Sequence, residues 1–273
     1  MRDFEGQNVW ITGASSGIGE ALAHAFAAEG AQLILSGRRL AALEDVAAEL
    51  DAPSLVLPFE VTDYPSLPEK VDTAWGWKGR VDILINNAGI SQRSLALDTA
   101  PEVYRELIDI DLLAPIWLTQ LQLPKMVSAG GGHIVAISSV AGRIGVPLRT
   151  AYCAAKHGLI GYMDALRAEA ETLHNIRVTN VLPGSVRTDV ARNALTGDGS
   201  PRGRSDPNIE GGDDPNDCAR AIVSAVAEGA PELIYAKGRE LEVTELRHRN
   251  PNAFFEAIGQ LGTHIAQKKA AED

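Results

Sequence analysis

The sequence predicts an α/β fold built on a doubly wound parallel sheet, and three observations indicate it. Short apolar, β-branched runs alternate with longer helical patterns along most of the chain. The runs are nearly continuous in apolar residues, which suits strands covered by helices on both faces. A glycine-rich turn, "TGASSGIG", follows the first run and opens the first helix. Alternation at this spacing predicts βαβ units with right-handed crossovers.

Six strands are predicted before residue 185 and a seventh after it. The first three βα units pair "NVWIT" with "GEALAHAFAAEG", "QLILSG" with "LAALEDVAAEL", and "SLVLPFEV" with "YPSLPEKVDTAW". The alternation continues with "VDILIN", a long helical region over 101–127, "HIVAISS", a helix from about residue 150, and "RVTNVLP". "ELIYA" at 232–236 is the seventh candidate. We therefore expect a sheet of about seven strands flanked by helices on both faces.

The chain beyond residue 189 departs from this alternation. Residues 196–216 are rich in Gly, Pro, Asp and Asn and offer almost nothing to bury. A long loop of this kind is either an exposed insertion or a lid over a site. The last segment predicts two helices separated at "RNPN". With no internal repeat, we expect one domain over 1–273, with a substrate-loop region at 189–216 and a helical C-terminal extension at 238–273.

Composition excludes several classes of function. The 25 basic and 36 acidic residues give a formal net charge of −11, which argues against nucleic acid as a partner. The two cysteines, Cys153 and Cys218, have neither metal-ligand spacing nor a disulfide framework, as expected in a reducing compartment. No apolar run approaches the roughly 18 residues of a membrane span. We expect a cytoplasmic protein with no metal site and no membrane partner.

The glycine turn predicts a dinucleotide site. Gly13, Gly17 and Gly19 allow a tight turn, a close approach of backbone to a pyrophosphate, and close packing of helix on strand. The start of the following helix offers unpaired N–H groups and the positive end of its dipole. The remaining residues of the predicted phosphate-binding turn are Ser15, Ser16 and Ile18.

The spacing G-x-x-x-G-x-G resembles that of the short-chain dehydrogenase/reductase family. Four further motifs follow in that family's order: "NNAG" at 86–89, "ISSVAG" at 137–142, "YCAAK" at 152–156 and "PGSVRT" at 183–188. The resemblance covers residues 8–190 and implies a Rossmann-type fold. It also implies an NAD(P)-dependent oxidoreductase that interconverts a small-molecule carbonyl and a secondary alcohol, assembled as a homodimer or homotetramer.

The end of the second strand favours NADP over NAD. Family members specific for NAD usually carry an acidic residue there to bind the ribose hydroxyls, and this chain has Gly37. Arg38 and Arg39 follow, and guanidinium groups suit a 2′-phosphate. Arg38 is the stronger candidate, with Ser36 as a possible hydroxyl partner, and Arg39 is either a second ligand or a solvated residue.

The resemblance implies further contacts to the cofactor. In "FEVTD", Glu60 stands where the family's adenine-contacting aspartate usually lies, and its longer side chain could still accept from the adenine amine. Asn87 is expected to hold the strand end near the ribose, and a structural role for this amide is compatible with that. The other implied contacts are Val61, Ala88, Gly89, Pro183, Gly184, Val186 and Thr188.

A tyrosine and a lysine four residues apart on a helix are most often an exposed pair, but in register with the other four motifs the resemblance implies that Tyr152 and Lys156 are the reacting groups. Hydride transfer builds negative charge on a carbonyl oxygen, which a nearby proton donor must neutralise. Residues i and i+4 share a helix face, so Lys156 can stabilise the phenolate form of Tyr152 and also reach the cofactor ribose. The family places a substrate-orienting serine 13 residues before the tyrosine, at Ser139, and the neighbouring Ser138 is expected to be structural.

One position departs from the family pattern. An asparagine in the helix after the fourth strand usually anchors a water that relays protons to the lysine, and here "DIDLLAP" places Asp111 there. A carboxylate could still hold the water, yet it would stabilise protonated Lys156 and partly cancel that lysine's effect on Tyr152. The hypothesis is a working site whose oxidation activity is shifted to alkaline pH.

The substrate is not predicted beyond its class. The pocket is expected to involve Ile90 to Gln92, Val140 to Leu148 and the 189–212 loop, and Arg93 and Arg143 could recognise an acid but are expected to face solvent. The motifs look most like the NADP-preferring carbonyl and hydroxysteroid reductases, whose substrates include steroids, retinoids, lipids and xenobiotic carbonyls. The alternative is an NADP-binding redox sensor or scaffold with little turnover.

Overall fold

Seven parallel strands form one sheet in the computed structural model, which describes residues 4–272. Their order across the sheet is β3-β2-β1-β4-β5-β6-β7, so the predicted parallel α/β sheet is confirmed. The strands are β1 (Asn8–Thr12), β2 (Gln32–Ser36), β3 (Ser54–Val56), β4 (Ile83–Asn86), β5 (Gly132–Ile137), β6 (Ile176–Pro183) and β7 (Glu232–Tyr235).

Helices cover both faces of this sheet. Two helices beyond β7 occupy the C-terminal segment and meet at Asn250, as the sequence predicts. The helices are α1 (Gly17–Ala28), α2 (Leu40–Glu49), α3 (Leu67–Lys78), α4 (Pro101–Ile108), α5 (Ala114–Ser128), α6 (Thr150–His174), α7 (Pro207–Glu210), α8 (Pro215–Glu228), α9 (Gly238–Arg249) and α10 (Pro251–Glu272).

Alternation along the strands divides the core into two layers. In β1, Val9 and Ile11 pack into a cluster with residues of α1, α2 and α8, whereas Trp10 packs into a second cluster with residues of α3, α5 and α6. Successive side chains of a strand point to opposite faces, so an unbroken apolar run supplies both layers. The sheet is thereby covered on both sides, which leaves its strand ends as the place for a site.

The long helical region predicted over 101–127 is two helices joined by a π-helical turn. The turn spans Asp109–Leu113 and lies between α4 and α5. Pro115 has no N–H to donate to the carbonyl of Asp111, so the regular hydrogen-bond ladder is interrupted where the turn widens. This widening presents Asp111, which is fully buried, toward the carboxyl ends of the strands.

The predicted loop over 196–216 is irregular and packs against the rest of the protein. Leu195, just before it, pairs with Gln92 and with Pro201, and the short helix α7 lies in its second half. Helix α8 then begins where the sequence pattern predicts no helix. The side chain of Asp214 accepts the N–H of Asn216 and so caps α8 at its start.

The topology places a crevice between β1 and β4. β1 pairs with β2 on one side and with β4 on the other. The chain therefore continues from β1 toward one edge of the sheet and from β4 toward the opposite edge. Ligands of open α/β sheets bind outside the carboxyl ends of strands at such a switch point. None of the described helices combines the length and the apolar character that crossing a bilayer would require.

Candidate active site

A cleft of about 740 Å³ opens at the switch point. Of the residues predicted to bind the cofactor or to react, Ser36 alone does not line it; of the predicted substrate pocket, Ile90 and Ser91 line it, whereas Gln92 and residues 140–148 do not. Ser36 is fully buried, and its hydroxyl accepts a hydrogen bond from Trp10 Nε1 at 2.8 Å. The predicted residues in the cleft wall are Gly13, Ser15, Ser16, Gly17, Ile18, Gly19, Arg38, Arg39, Glu60, Val61, Asn87, Ala88, Gly89, Asp111, Ser139, Tyr152, Lys156, Pro183, Gly184, Val186 and Thr188.

Two positions of the turn, Gly13 and Gly19, require glycine, each for a different reason. Gly13 has φ +67°, a left-handed conformation, and a Cβ there would lie 2.9 Å from Ala88 Cα. A Cβ on Gly19 would lie 2.2 Å from the carbonyl oxygen of Gly13. Asn87 Nδ2 donates to the carbonyls of Thr12 and Gly13, which fixes this turn to the end of β4. The arrangement holds the turn and the start of α1 in one rigid shape.

The start of α1 is open to an anion. Its N-cap, Ser16, makes no side-chain hydrogen bond to the first turn of the helix. The N–H groups of that turn therefore lack the partner that a capping side chain usually provides. Ser16 and Gly17 line the cleft, so the positive end of the helix dipole faces it.

Two arginines and a glutamate form the end of the cleft beyond β2. Arg39 Nη2 donates to the carbonyl oxygen of Ser15 at 3.0 Å and to Ser15 Oγ at 3.1 Å. Arg38 Nε lies 3.6 Å from Glu60 Oε2, and its side chain is 69% exposed. Arg39 thus stabilises the phosphate-binding turn, whereas the one ion pair that Arg38 makes with the described residues is solvent-exposed.

Tyr152 and Lys156 lie on one face of α6 and both line the cleft. Lys156 Nζ is 5.6 Å from the centroid of the Tyr152 ring and donates to the carbonyl oxygen of Ile137 at 3.1 Å. The Tyr152 hydroxyl makes no hydrogen bond to any described residue. The predicted pairing of a phenol with an ammonium is therefore present, with the phenol available to a ligand.

Asp111 completes a buried ion pair with Lys156. Asp111 Oδ2 lies 3.3 Å from Lys156 Nζ, and Oδ1 accepts the N–H of Ile90 at 2.8 Å. Burial raises the pKa of Asp111, while Lys156 and the Ile90 N–H act against that rise. Burial by itself would lower the pKa of Lys156, but Asp111, with a smaller contribution from Tyr152, raises it above its ordinary value. Both contacts of Asp111 favour the carboxylate, and the carboxylate favours the ammonium.

The two serines after β5 have separate contacts. Ser139 Oγ donates to the carbonyl oxygen of Pro183 at 3.3 Å and accepts the N–H of Ala141 at 3.1 Å. Ser138 Oγ donates to the carbonyl oxygen of Lys156 at 3.0 Å and so ties β5 to α6. Ser138 also reaches the cleft wall.

The substrate end of the cleft contains two arginines that sequence reasoning misplaced or missed. Arg93 was expected to face solvent, but its side chain is 4% exposed and lines the cleft. It is buried because Asp206, far away in sequence, lies 3.4 Å from its Nε. Arg149, three residues before Tyr152, also lines the cleft. Arg143 does not line it and instead pairs with Glu232.

A second residue that the sequence did not indicate is Glu240 of α9. Its Oε2 accepts the N–H of Ser185 at 2.8 Å, and its Oε1 accepts the Ser185 hydroxyl at 2.6 Å. A Cβ on Gly184 would lie 2.2 Å from Glu240 Oε2, so glycine permits this close approach. The C-terminal segment thus holds the turn that follows β6 in the cleft wall.

The parallel sheet, the glycine turn at its switch point and the cleft beside it define a Rossmann-type protein with a dinucleotide-binding turn. A family model described as short chain dehydrogenase matches residues 7–198. A relative from Anopheles gambiae, "Dehydrogenase/reductase SDR family protein 7-like", is 38% identical over 262 residues, which are 93% of this chain and 82% of that protein. The chain belongs to the short-chain dehydrogenase/reductase family and is an oxidoreductase acting on CH–OH groups.

Solved structures agree with this assignment. A short-chain dehydrogenase from Sphingobium yanoikuyae in complex with NADPH has a TM-score of 0.73 and 28% identity, and the match covers 84% of this chain and 87% of that one. A short-chain dehydrogenase/reductase from Burkholderia phymatum in complex with NAD has a TM-score of 0.81. That match covers 93% of this chain and 96% of the other, but at 22% identity it shows the fold alone.

Proposed function

We propose that this protein is an NADP(H)-dependent oxidoreductase that interconverts a small-molecule carbonyl and a secondary alcohol. The observation that carries the proposal is the Tyr152 phenol, which has no hydrogen-bond partner among the described residues, lines the cleft and lies beside the buried Lys156 ammonium. Within the family we assign the protein to the NADP-preferring carbonyl and hydroxysteroid reductases.

The residues of the cleft fit a dinucleotide. The uncapped first turn of α1 suits the pyrophosphate, because its N–H groups and dipole both favour an anion. Arg38 suits a 2′-phosphate, since its exposed pair with Glu60 is a weak competitor for a doubly charged group. Lys156 has three ammonium hydrogens and donates one to the carbonyl oxygen of Ile137, so hydrogens remain for the ion pair with Asp111 and for a ribose hydroxyl.

The residues of the site divide the remaining chemistry among them. When bound, the nicotinamide cofactor supplies or accepts the hydride. In reduction, Tyr152 donates its phenolic proton to the substrate oxygen, and in oxidation it removes that proton. Lys156 stabilises the phenolate formed, and Ser139 donates a hydrogen bond to the substrate oxygen in place of its bond to Pro183. Asp111 holds Lys156 in place and keeps it protonated.

Tyr152→Phe tests the proposal. The experiment measures NADPH consumption by the wild type and the variant with a panel of ketones and aldehydes, and it measures NADPH affinity in parallel. We expect turnover by the wild type and a loss of about 10²- to 10⁴-fold in the variant, with NADPH affinity unchanged, because general acid catalysis contributes about that factor. No turnover across the panel despite tight NADPH binding would instead favour a redox sensor or scaffold.

We also propose a homodimer or homotetramer. Leu113 and Trp117 are one helical turn apart at the start of α5, and their side chains are 37% and 50% exposed. Apolar side chains exposed in this way support an interface between copies of the chain. Sedimentation of the wild type and of Trp117→Glu distinguishes the states, since the charge would lower the oligomeric mass if the proposal is correct. A monomeric wild type would contradict it.

A further inference from the structure

The substrate end of the cleft concentrates positive charge. Arg93 follows β4, Arg149 is the N-cap residue of α6 three residues before Tyr152, and both line the cleft, whereas Arg38 follows β2, across β1 from β4. Arg202, from the loop before α7, approaches the same place, with its Nη1 3.9 Å from Asp206 Oδ2. Asp206 therefore faces both Arg93 and Arg202. Two guanidinium groups thus share one carboxylate, and Arg149 adds a third positive charge with no ion-pair partner among the described residues.

Arg93 is held in a fixed position with part of its guanidinium unused. Nε lies 3.4 Å from Asp206, and Nη1 donates to Ser91 Oγ at 2.9 Å and to the carbonyl oxygen of Gln92 at 2.8 Å. Nη2 has no hydrogen-bond partner within residues 4–272. Burial, with a further contribution from Arg149, lowers the pKa of Arg93 to about 10. Arg93 thus remains charged at neutral pH, and the nearby Arg149 disfavours that charge.

Arg149 is the least compensated of these charges. Its guanidinium makes no hydrogen bond and no ion pair within the part of the chain that the structure describes. Besides Glu60 and Asp111, which pair with Arg38 and Lys156, the acidic residues that line the cleft are Glu106 and Asp189, and Asp189 lies 3.7 Å from Arg192. Two like charges held close together in a cleft, one of them buried, are costly unless an anion joins them.

We propose that Arg93 and Arg149 form a subsite for an anionic group of the substrate, a carboxylate or a phosphate. The proposal rests on the oxidoreductase function above and narrows its substrate class to carbonyl compounds that carry such a group. Phosphates of the cofactor are served by α1 and Arg38, at the other end of the cleft. The apolar wall between the subsite and Tyr152, which includes Ile90 and Leu195, would contact the carbon chain of the substrate.

A purely structural role for Arg93 would produce a different result. Its contacts to Asp206 tie the loop before α7 to the segment after β4, so Arg93→Gln could weaken the protein regardless of ligand. Arg149→Gln tests the subsite more directly than Arg93→Gln, because it removes a positive charge without breaking any hydrogen bond or ion pair of the described residues. Arg192→Gln is a control for the loss of one positive charge, since this arginine lies in the 189–216 loop and does not line this cleft.

The test compares two substrates that differ by one charge, 4-oxo-4-phenylbutyrate and its methyl ester. We expect kcat/KM of the wild type for the acid to exceed that for the ester by about tenfold or more, since hydrogen bonds to charged groups contribute about that factor. Arg149→Gln should remove most of this preference by raising KM for the acid, and Arg192→Gln should retain the preference. Equal kcat/KM values for the two wild-type substrates, or a preference that survives Arg149→Gln, would overturn the proposal.

A binding arm separates this proposal from the oxidoreductase function. The NADPH complex of the wild type and of Arg149→Gln is titrated calorimetrically with 4-phenylbutyrate, 3-phenylpropyl phosphate and methyl 4-phenylbutyrate, none of which is a ketone. Binding of either anion that is weakened about tenfold in Arg149→Gln supports the subsite even if no ketone is turned over, and the tighter anion identifies its chemistry. Equal binding of the anions and the ester contradicts the subsite and leaves the oxidoreductase function intact.

Discussion

Asp111→Asn tests whether the buried carboxylate sets the pH at which the site works. The change removes one negative charge and keeps a carbonyl oxygen that can accept the Ile90 N–H. Lys156 Nζ lies 3.3 Å from Asp111 Oδ2 and 5.6 Å from the centroid of the Tyr152 ring. The carboxylate is therefore at most about 9 Å from the ring. Two unit charges at that separation interact by about 2 kcal/mol at an effective dielectric constant of about 20.

This repulsion opposes the phenolate that oxidation requires. Because about 1.4 kcal/mol corresponds to one pH unit, its removal should shift the rising limb of the oxidation profile down by about one unit. Asp111 also raises the pKa of Lys156 against the effect of burial, so the lysine of the variant should lose its proton at lower pH. The loss of oxidation activity at high pH should therefore also begin at a lower pH in the variant than in the wild type.

The assay is kcat/KM for alcohol oxidation from about pH 6 to about pH 11, where such profiles report groups of the free enzyme. Asp109→Asn is the matched control, since Asp109 lies on the same π-helical turn and does not line the cleft. Coincident rising limbs for the wild type and Asp111→Asn would refute the reasoning. An equal shift in Asp109→Asn would also refute it, because the shift would then come from the change in net charge and not from the position of Asp111.

Three further predictions concern the turn, the cofactor and a thiol. Gly19→Ala would place a Cβ 2.2 Å from the Gly13 carbonyl oxygen. Overpacking of about 1–3 kcal/mol should lower Tm by about 2–10 °C, measured by calorimetry, and weaken NADPH binding. Arg38→Asp should lower the ratio of NADPH to NADH affinity about 10- to 100-fold, since a hydrogen bond to a charged group contributes about 1.5–3 kcal/mol. Burial, with a smaller effect of Asp213, raises the pKa of Cys218 to about 12. A disulfide reagent at pH 8 should therefore modify Cys218 only after unfolding, because the thiolate is nearly absent below that pKa.

Each of these has a result that would contradict it. Gly76→Ala is the control for the turn, because a Cβ there meets nothing within 4 Å on a helix where alanine is favoured. Equal losses of Tm in the two alanine variants would show that the close contact at Gly19 is unimportant. An unchanged affinity ratio in Arg38→Asp would remove the NADP assignment. Rapid modification of native Cys218, identified by mass spectrometry, would show that this thiol is accessible.

The strands and most of the site were predictable because local signals specify them. An apolar run such as "NVWIT" identifies a buried strand without knowledge of its neighbours, and the i, i+4 spacing of Tyr152 and Lys156 fixes a shared helix face. The break at Asp109–Leu113 is local too, since Pro115 gives the signal, but periodicity alone extends one helix through it. The start of α8 also has a local signal, because Asp214 is a capping residue and Pro215 suits the first helical position. The composition of the surrounding segment, however, indicates only a loop.

The substrate end of the cleft was not predictable for a different reason. Arg93 is buried by Asp206, a partner 113 residues away that no periodicity connects to it. Arg149 precedes the helical pattern, in a loop where the direction of a side chain depends on tertiary packing. Ser36 was predicted to contact the cofactor but is buried in the core, where its hydroxyl accepts a hydrogen bond from Trp10 on the neighbouring strand. Long-range pairs therefore decide the positions of Arg93 and Ser36.

The contact between Glu240 and Ser185 affects when the site can form during synthesis. Residues 238–249 leave the ribosome only after all seven strands have been made. Until α9 folds, the N–H and hydroxyl of Ser185 lack the carboxylate that fixes the turn beside Gly184. A nascent chain could therefore assemble its sheet and its phosphate-binding turn while the opposite wall of the cleft is still loose. Completion of the cleft thus depends on a helix that is synthesised after the last strand of the sheet.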